Sequence, residues 1–266
     1  MTLELKILKK DYFNDYKKQL KVDIETAFAT LKNKPQSLDD FKFYLANSAV
    51  HSSNIEGNTV SFDTYLKSSE FNLHLKTKEI KEIEELIAAY QFARENNLTL
   101  DNILKAHEIL TQSILIKKER GKIRKVKVGV RSEGQLIYLA IEPELIKQEL
   151  EKLFADISIL LSAAKSRKAG LTATEVFYYA AYIHLVFVNI HPFVDGNGRA
   201  TRLIEKWFLA KMLGDNAWCI TSEKNYWDNR PTYYKNLQIG VNYYEVQYER
   251  SVPFLLMLPN SLINAV

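Results

Sequence analysis

Apolar residues recur at intervals of three and four along most of the chain, which predicts a mainly helical protein. The pattern is amphipathic from Tyr12 to about Leu31. It resumes through Phe43, Tyr44, Ala46, Ala49 and Val50, with Ser37 as N-cap and Asp40 three residues later in the manner of a capping box. Further helices are expected from Phe62 to Phe71, from Lys78 to Asn96, and from a Thr99 cap through Ile103, Leu104, His107, Leu110 and Ile114. Pro143 suits the first turn of a helix that continues through Leu145, Leu150, Leu153, Phe154, Ile157 and Leu160. Thr172 and Glu175 form another capping box, and the residues after them, Val176 to Val188, are apolar almost all round. A helix of that kind belongs in the centre of a fold. An apolar close, Phe254 to Leu258, ends the chain's pattern.

One segment breaks the helical period. Val126, Val128 and Val130 alternate with Lys125, Lys127 and Gly129, which is a strand pattern. Ser132-Glu133-Gly134 makes a turn, and Leu136 to Ala140 reads as the returning strand. A lone hairpin is marginal unless it packs on something. The expected fold class is therefore mainly α with a small β-hairpin.

The chemistry concentrates where the central helix ends, at Ile190-His191-Pro192-Phe193-Val194-Asp195-Gly196-Asn197-Gly198-Arg199-Ala200-Thr201-Arg202. Pro192 disfavours helical backbone before it, so the incoming helix should stop near Asn189. Gly196 and Gly198 allow a tight turn and close approach of a ligand to the backbone. From Gly198 the pattern is helical again, with Leu203, Ile204, Trp207, Phe208 and Ala210 apolar. The first turn of such a helix offers free N–H groups to an anion, phosphate above all. Arg199 and Arg202 share a face one turn in and can add charge-assisted bonds. Asp195 has the wrong sign for phosphate but suits Mg²⁺, which commonly takes one or two carboxylates plus phosphate oxygens. His191 is a candidate base near neutral pH.

This stretch resembles the signature of the Fic family, H-x-F-x-D/E-G-N-G-R-x-x-R, at every specified position. The resemblance implies transfer of AMP from ATP to a Ser, Thr or Tyr hydroxyl of a target protein. It implies His191 as the base and Asp195 as the Mg²⁺ ligand. It implies a nucleotide cradle of Gly196, Asn197, Gly198 and Arg199 at the α- and β-phosphates, with Arg202 at the γ-phosphate. Phe193 would anchor the loop in the core.

A second stretch, Ser52-Ser53-Asn54-Ile55-Glu56-Gly57, ends the helix that runs through Val50, with Gly57 placed to terminate it. Glu56 then lies at the negative end of that helix's dipole, unfavourable by up to about 1 kcal/mol unless a cation compensates. Ser52 and Glu56 resemble the family's inhibitory motif, S/T-x-x-x-E-G/N, which implies that Glu56 pairs with Arg202 and blocks the γ-phosphate position. Gly121 to Arg124 resembles the segment before the family's flap, a hairpin to which a target segment adds as a strand. Arg230-Pro231-Thr232-Tyr233-Tyr234 resembles the start of its C-terminal helix, where Tyr233 or Tyr234 would either flank the adenine or pack. Three alternatives stay open: hydrolysis of AMP from a modified target with Glu56 placing the water, transfer of another group, and a non-catalytic nucleotide-sensing or protein-binding module.

Composition narrows the rest. A hydrophobic content of 47% supports a substantial core, and the scarcity of Gly (9) and Pro (6) favours helices. The net charge of +4 and pI near 8.8 do not argue for nucleic acid. Cys219, the single cysteine, excludes an internal disulfide and reads as a buried small residue. His74 and His107 read as structural, and His184 as a core residue or one behind the site. No apolar run reads as long enough to span a bilayer and no signal peptide is evident, so the expectation is a cytoplasmic protein with no membrane and no nucleic-acid partner. The expected organisation is a single Fic-type domain, 1–266. Its 1–75 region carries the inhibitory motif, and 76–266 forms the core and C-terminal helices. The expected partners are a target protein or a second copy of the chain, with a homodimer among the open arrangements.

Overall fold

The computed structural model describes residues 3–32, 38–70, 77–132, 134–165 and 170–263, so the expectations for Ser37, Phe71, His74 and Glu133 lie outside the described residues. Helices α1 (Phe13–Gln19) and α2 (Ile24–Lys32) replace the one helix expected from Tyr12 to Leu31. The break has a local cause. Leu20 turns extended, and Asp23 caps α2 by accepting from the Thr26 N–H (3.3 Å) and hydroxyl (2.7 Å). Helices α3 (Leu38–Ile55) and α4 (Phe62–Glu70) follow, then α5 (Lys78–Glu95) and α6 (Leu100–Leu110). Thr77 and Thr99 cap these last two through their hydroxyls. Helix α6 stops one turn before Ile114, because the Thr111 hydroxyl donates back to the His107 carbonyl (2.6 Å).

Strands β1 (Gly129–Ser132) and β2 (Gln135–Leu139) pair antiparallel, with Gly129 opposite Leu139 and Arg131 opposite Leu136. Ile137 is left unopposed as a bulge, which bends the hairpin. The alternation at Val126 and Val128 belongs to the extended approach rather than to β1, although the Val128 carbonyl still accepts from Ala140 (3.1 Å). The hairpin is moored on both sides. The Tyr138 hydroxyl donates to the Asn189 carbonyl (2.7 Å), and the Leu139 N–H to the Val241 carbonyl (2.9 Å).

Helices α7 (Pro143–Lys165), α8 (Ala173–Ile190) and α9 (Asn197–Leu213) complete the core, followed by a 3-10 turn at Asp215–Cys219. Helices α10 (Ser222–Asp228), α11 (Arg230–Leu237), α12 (Val252–Leu255) and α13 (Met257–Asn260) then close the bundle. The Thr172–Glu175 capping box forms as the sequence predicts. Helix α8 is apolar almost all round and is sheathed by α1, α2, α7, α9, α12 and α13. By length and composition it is enough to cross a membrane, contrary to the sequence expectation, but 83% of it is buried inside the fold. Helix α3 is equally built in, packing on α5, α9 and α10.

Candidate functional site

Helix α8 runs to Ile190, and His191 leaves it in a left-handed conformation with φ 52°. For a residue with a Cβ this costs about 1–2 kcal/mol, so surrounding bonds have to hold it. Arg124 supplies them. Its Nε donates to the His191 carbonyl (2.8 Å), Nη1 to Val126 (2.7 Å) and Nη2 to Ile141 (2.6 Å), while its backbone N–H donates to the Pro192 carbonyl (2.9 Å). The loop is closed from inside by Asn197, whose Oδ1 accepts from Phe193 N–H and whose Nδ2 donates to the Phe193 carbonyl, both at 2.9 Å. The Phe193 ring stacks on His107 with 3.6 Å between centroids. His107 Nε2 faces the Asp195 carbonyl (2.8 Å), and Nδ1 accepts from Gly121 N–H (3.0 Å). Burial pushes the His107 pKa down to about 4, so the ring is neutral and donates through Nε2.

His191 is poised in the same neutral state. Burial lowers its pKa to about 4, although the Val188 carbonyl and the Glu56 and Asp195 carboxylates pull the other way. Nδ1 faces the Val188 carbonyl at 3.2 Å and must carry the proton to bond it, which leaves a lone pair on Nε2.

At the start of α9 no side chain caps the helix, and the first intrahelical acceptor is taken by Ala200, which donates to the Gly196 carbonyl (3.0 Å). The N–H groups of Asn197, Gly198 and Arg199 therefore precede the helical ladder and form the positive end of α9. Gly196 turns with φ 78°, and a Cβ there would meet Thr111 and His107. Arg199 is held from the side by Glu82 of α5 (3.3 Å). Asp195 is exposed, and its Oδ1 accepts from the Gly196 N–H (2.6 Å). Among the described residues no three His, Cys, Asp or Glu converge on a metal position. Asp195 is an open carboxylate at the positive end of α9 and could contribute one ligand to Mg²⁺, which commonly takes one or two carboxylates with phosphate oxygens.

Arg202 lies deeper, 1% exposed. Its Nε donates to Ser52 Oγ (2.8 Å) and its Nη2 to the Ser52 carbonyl (2.9 Å) and to Glu56 Oε1 (2.7 Å). Glu56 comes from 146 residues earlier, and its side chain is 29% exposed. Its carboxylate lies against Gly198, where an added Cβ would be 2.1 Å from Oε1. The penalty at the end of α3 is thus offset by a guanidinium and by the positive end of α9. Burial opposes the charge on Glu56, but Arg202 and Arg199 outweigh it and hold the pKa below the usual carboxylate value.

The structure brings together His191, Asp195, Gly196, Asn197, Gly198, Arg199, Arg202, Ser52 and Glu56. It gives three of the predicted residues other duties. The Asn197 side chain is spent on Phe193, leaving its N–H for an anion. Tyr233 is buried in the core, and its hydroxyl accepts from Arg202 Nη1 (3.3 Å). Tyr234 is 41% exposed, and its hydroxyl donates to the Ile55 carbonyl (3.0 Å) at the end of α3. Sequence reasoning did not single out Glu82 or give His107 and Arg124 their parts in shaping the loop, because no spacing marks partners that meet only through tertiary packing.

Residues 97–209 match the model of the Fic/DOC family. The chain is 30% identical over 165 residues to protein adenylyltransferase fic-1 of Caenorhabditis briggsae, covering 58% of this chain and 29% of that one. It is 29% identical over 169 residues to protein adenylyltransferase Fic of Culex quinquefasciatus, covering 60% and 31% respectively. The chain thus spans about a third of the length of these relatives. Its fold matches a Fic family protein from Desulfovibrio desulfuricans G20 with a TM-score of 0.78 at 19% identity, over 99% of this chain and 76% of the other. It also matches a Fic domain containing signaling protein from Bacteroides thetaiotaomicron with a TM-score of 0.65 at 21% identity, over 91% and 92%.

Proposed function

On the match of residues 97–209 to the Fic/DOC family model, we propose that this protein is an adenylyltransferase that moves AMP from ATP to a Ser, Thr or Tyr hydroxyl of a protein, restrained by Glu56. The observation that carries the reading is the bare Nε2 of a neutral His191 beside the uncapped start of α9 and its two arginines. On this reading the target oxygen attacks the α-phosphorus, its proton passes to His191 Nε2, and the bond to pyrophosphate breaks. The N–H groups of residues 197–199 and the Arg199 guanidinium take the α- and β-phosphates, and Arg202 takes the γ-phosphate. Mg²⁺, held by Asp195 and phosphate oxygens, would neutralise charge on the leaving pyrophosphate. Positioning and charge stabilisation supply most of the rate in such transfers. The hydroxyl belongs to another protein or to a second copy of this chain.

Glu56 and a γ-phosphate ask for the same face of Arg202, so the ion pair supports autoinhibition. Incubated with Mg²⁺ and ATP, Glu56→Gly should gain an adenylate mass on itself or on an added partner, while wild type gains little. Adding His191→Ala should slow the transfer about 10²–10⁴-fold. Equal labelling with and without His191 refutes the base, and labelling indifferent to Glu56 refutes the restraint. A second reading, removal of AMP from a modified target, is supported by Glu56 Oε2, which has no partner among the described residues and stays partly open to water. Release of AMP from a labelled target by wild type, lost in Glu56→Gly, would favour it.

A further inference from the structure

Behind Arg202 a line of buried polar groups continues that the proposed chemistry does not use. Tyr233 on α11, His184 on α8 and Glu205 on α9 are each at most 1% exposed. The Tyr233 hydroxyl lies 3.3 Å from Arg202 Nη1 and 2.9 Å from His184 Nε2, and His184 Nδ1 lies 2.8 Å from Glu205 Oε2. Tyr226 donates to the same Glu205 oxygen (2.9 Å). One assignment of protons satisfies the line up to Glu205 Oε2, while Glu205 Oε1 is buried without a hydrogen-bond partner among the described residues. A guanidinium has no acceptor, so the Tyr233 oxygen accepts from Arg202. Its own proton then goes to His184 Nε2, and His184 donates through Nδ1 to Glu205. The direction runs from cation to carboxylate without a break.

Space-filling alone does not call for such a line, since burying polar groups costs free energy unless every one is bonded. We propose that Tyr233, backed by His184 and Glu205, positions Arg202 to receive the terminal phosphate of ATP. The proposal rests on the nucleotide reading above. Arg202 has four bonds, and only the one to Glu56 must be given up when a phosphate arrives. The bonds to Ser52 Oγ, the Ser52 carbonyl and Tyr233 remain and keep the guanidinium aimed. The exchange of a carboxylate oxygen for a phosphate oxygen then needs no reorganisation of the side chain.

The test compares ATP and ADP, which differ only in the phosphate that Arg202 would hold. Calorimetric titration of Glu56→Gly with each nucleotide and Mg²⁺ should show a preference for ATP. Adding Tyr233→Phe should weaken ATP binding about 5- to 10-fold, the worth of one hydrogen bond, and leave ADP affinity unchanged. His184→Leu, which removes the acceptor for the Tyr233 proton, should do the same. His184→Gln, which keeps one donor and one acceptor, should restore most of the preference. A general packing defect would weaken both nucleotides alike, so equal losses overturn the proposal, as does a preference untouched by Tyr233→Phe or His184→Leu. If Glu56→Gly does not itself prefer ATP, the proposal falls together with the phosphate role of Arg202. If it prefers ATP and loses that preference with Tyr233→Phe but transfers no AMP, the positioning role stands and the transferase reading alone falls.

Discussion

At the scale of single residues, the site is made of groups held in states that bulk water would not favour. His191 and His107 both have pKa values pushed down to about 4 by burial, so the native rings bind fewer protons than the unfolded chain does. Their contribution to stability is therefore complete above the unfolded value of about 6.5 and is lost as pH falls through about 4. Melting temperature measured against pH should decline across that window, and less steeply in His107→Gln. Nitrogen NMR of the imidazoles should find His191 neutral and protonated on Nδ1 above about pH 5; a midpoint near 6.5 would mean a solvated ring without the bond to Val188. Arg124 is the residue on which the left-handed turn at His191 depends. Arg124→Met keeps the stem but strands three carbonyls, for an expected loss of about 2–3 kcal/mol in urea unfolding. On the transferase reading, adenylate labelling of Glu56→Gly should fall when Arg124→Met is added, because the imidazole is no longer fixed.

At the scale of elements, α3 and α9 are joined by two long cations one turn apart. Arg202 reaches Ser52, and Lys206 reaches Ser48 Oγ (2.5 Å), the Ile220 carbonyl (2.8 Å) and Glu223 Oε2 (2.5 Å) on α10. Lys206 and Glu223 have no exposed surface. Lys206→Met should cost about 3–5 kcal/mol by stranding a buried carboxylate, and the double change with Glu223→Gln should recover part of it, as read from denaturant midpoints. These joints also mark the limit of what the sequence discloses. His191 to Arg202 are contiguous, so their types and spacing carry the site directly. The Glu56–Arg202 pair was legible only through its likeness to a known motif. The Tyr12–Leu31 helix misled because its periodicity runs unbroken across Asp23, whose capping bonds win locally over the apolar pattern. The hairpin was legible from its alternation, but its bulge at Ile137 was not, since register depends on what the strands pack against.

At the scale of the whole molecule, α3, whose end presents Glu56, is an integral wall of the bundle and not a detachable lid. It shares contacts with α5, α9 and α10, and Tyr234 of α11 holds its last carbonyl. On the proposed reading, Arg202 should therefore be freed by a swing of the Glu56 side chain with α3 in place. Amide exchange in α3 should be as slow in Glu56→Gly with ATP as in wild type; fast exchange along the helix would argue for its displacement. The stretch that matches the family model, residues 97–209, depends for its buried charges on chain outside it. The Asp156 carboxylate, fully buried in α7, is satisfied by the N–H groups of Lys6, Ile7 and Leu8 at 2.7–2.9 Å. Arg202 and Lys206 likewise find their oxygens on α3 and α10. Trimmed to residues 97–209, the polypeptide would lose the partners of Asp156, Arg199, Arg202 and Lys206 and lay bare the apolar faces that the missing helices cover. The stretch that carries the motif and the stretch that supplies its buried partners are thus different lengths of chain, and grafting the loop elsewhere means transplanting its distant neighbours too.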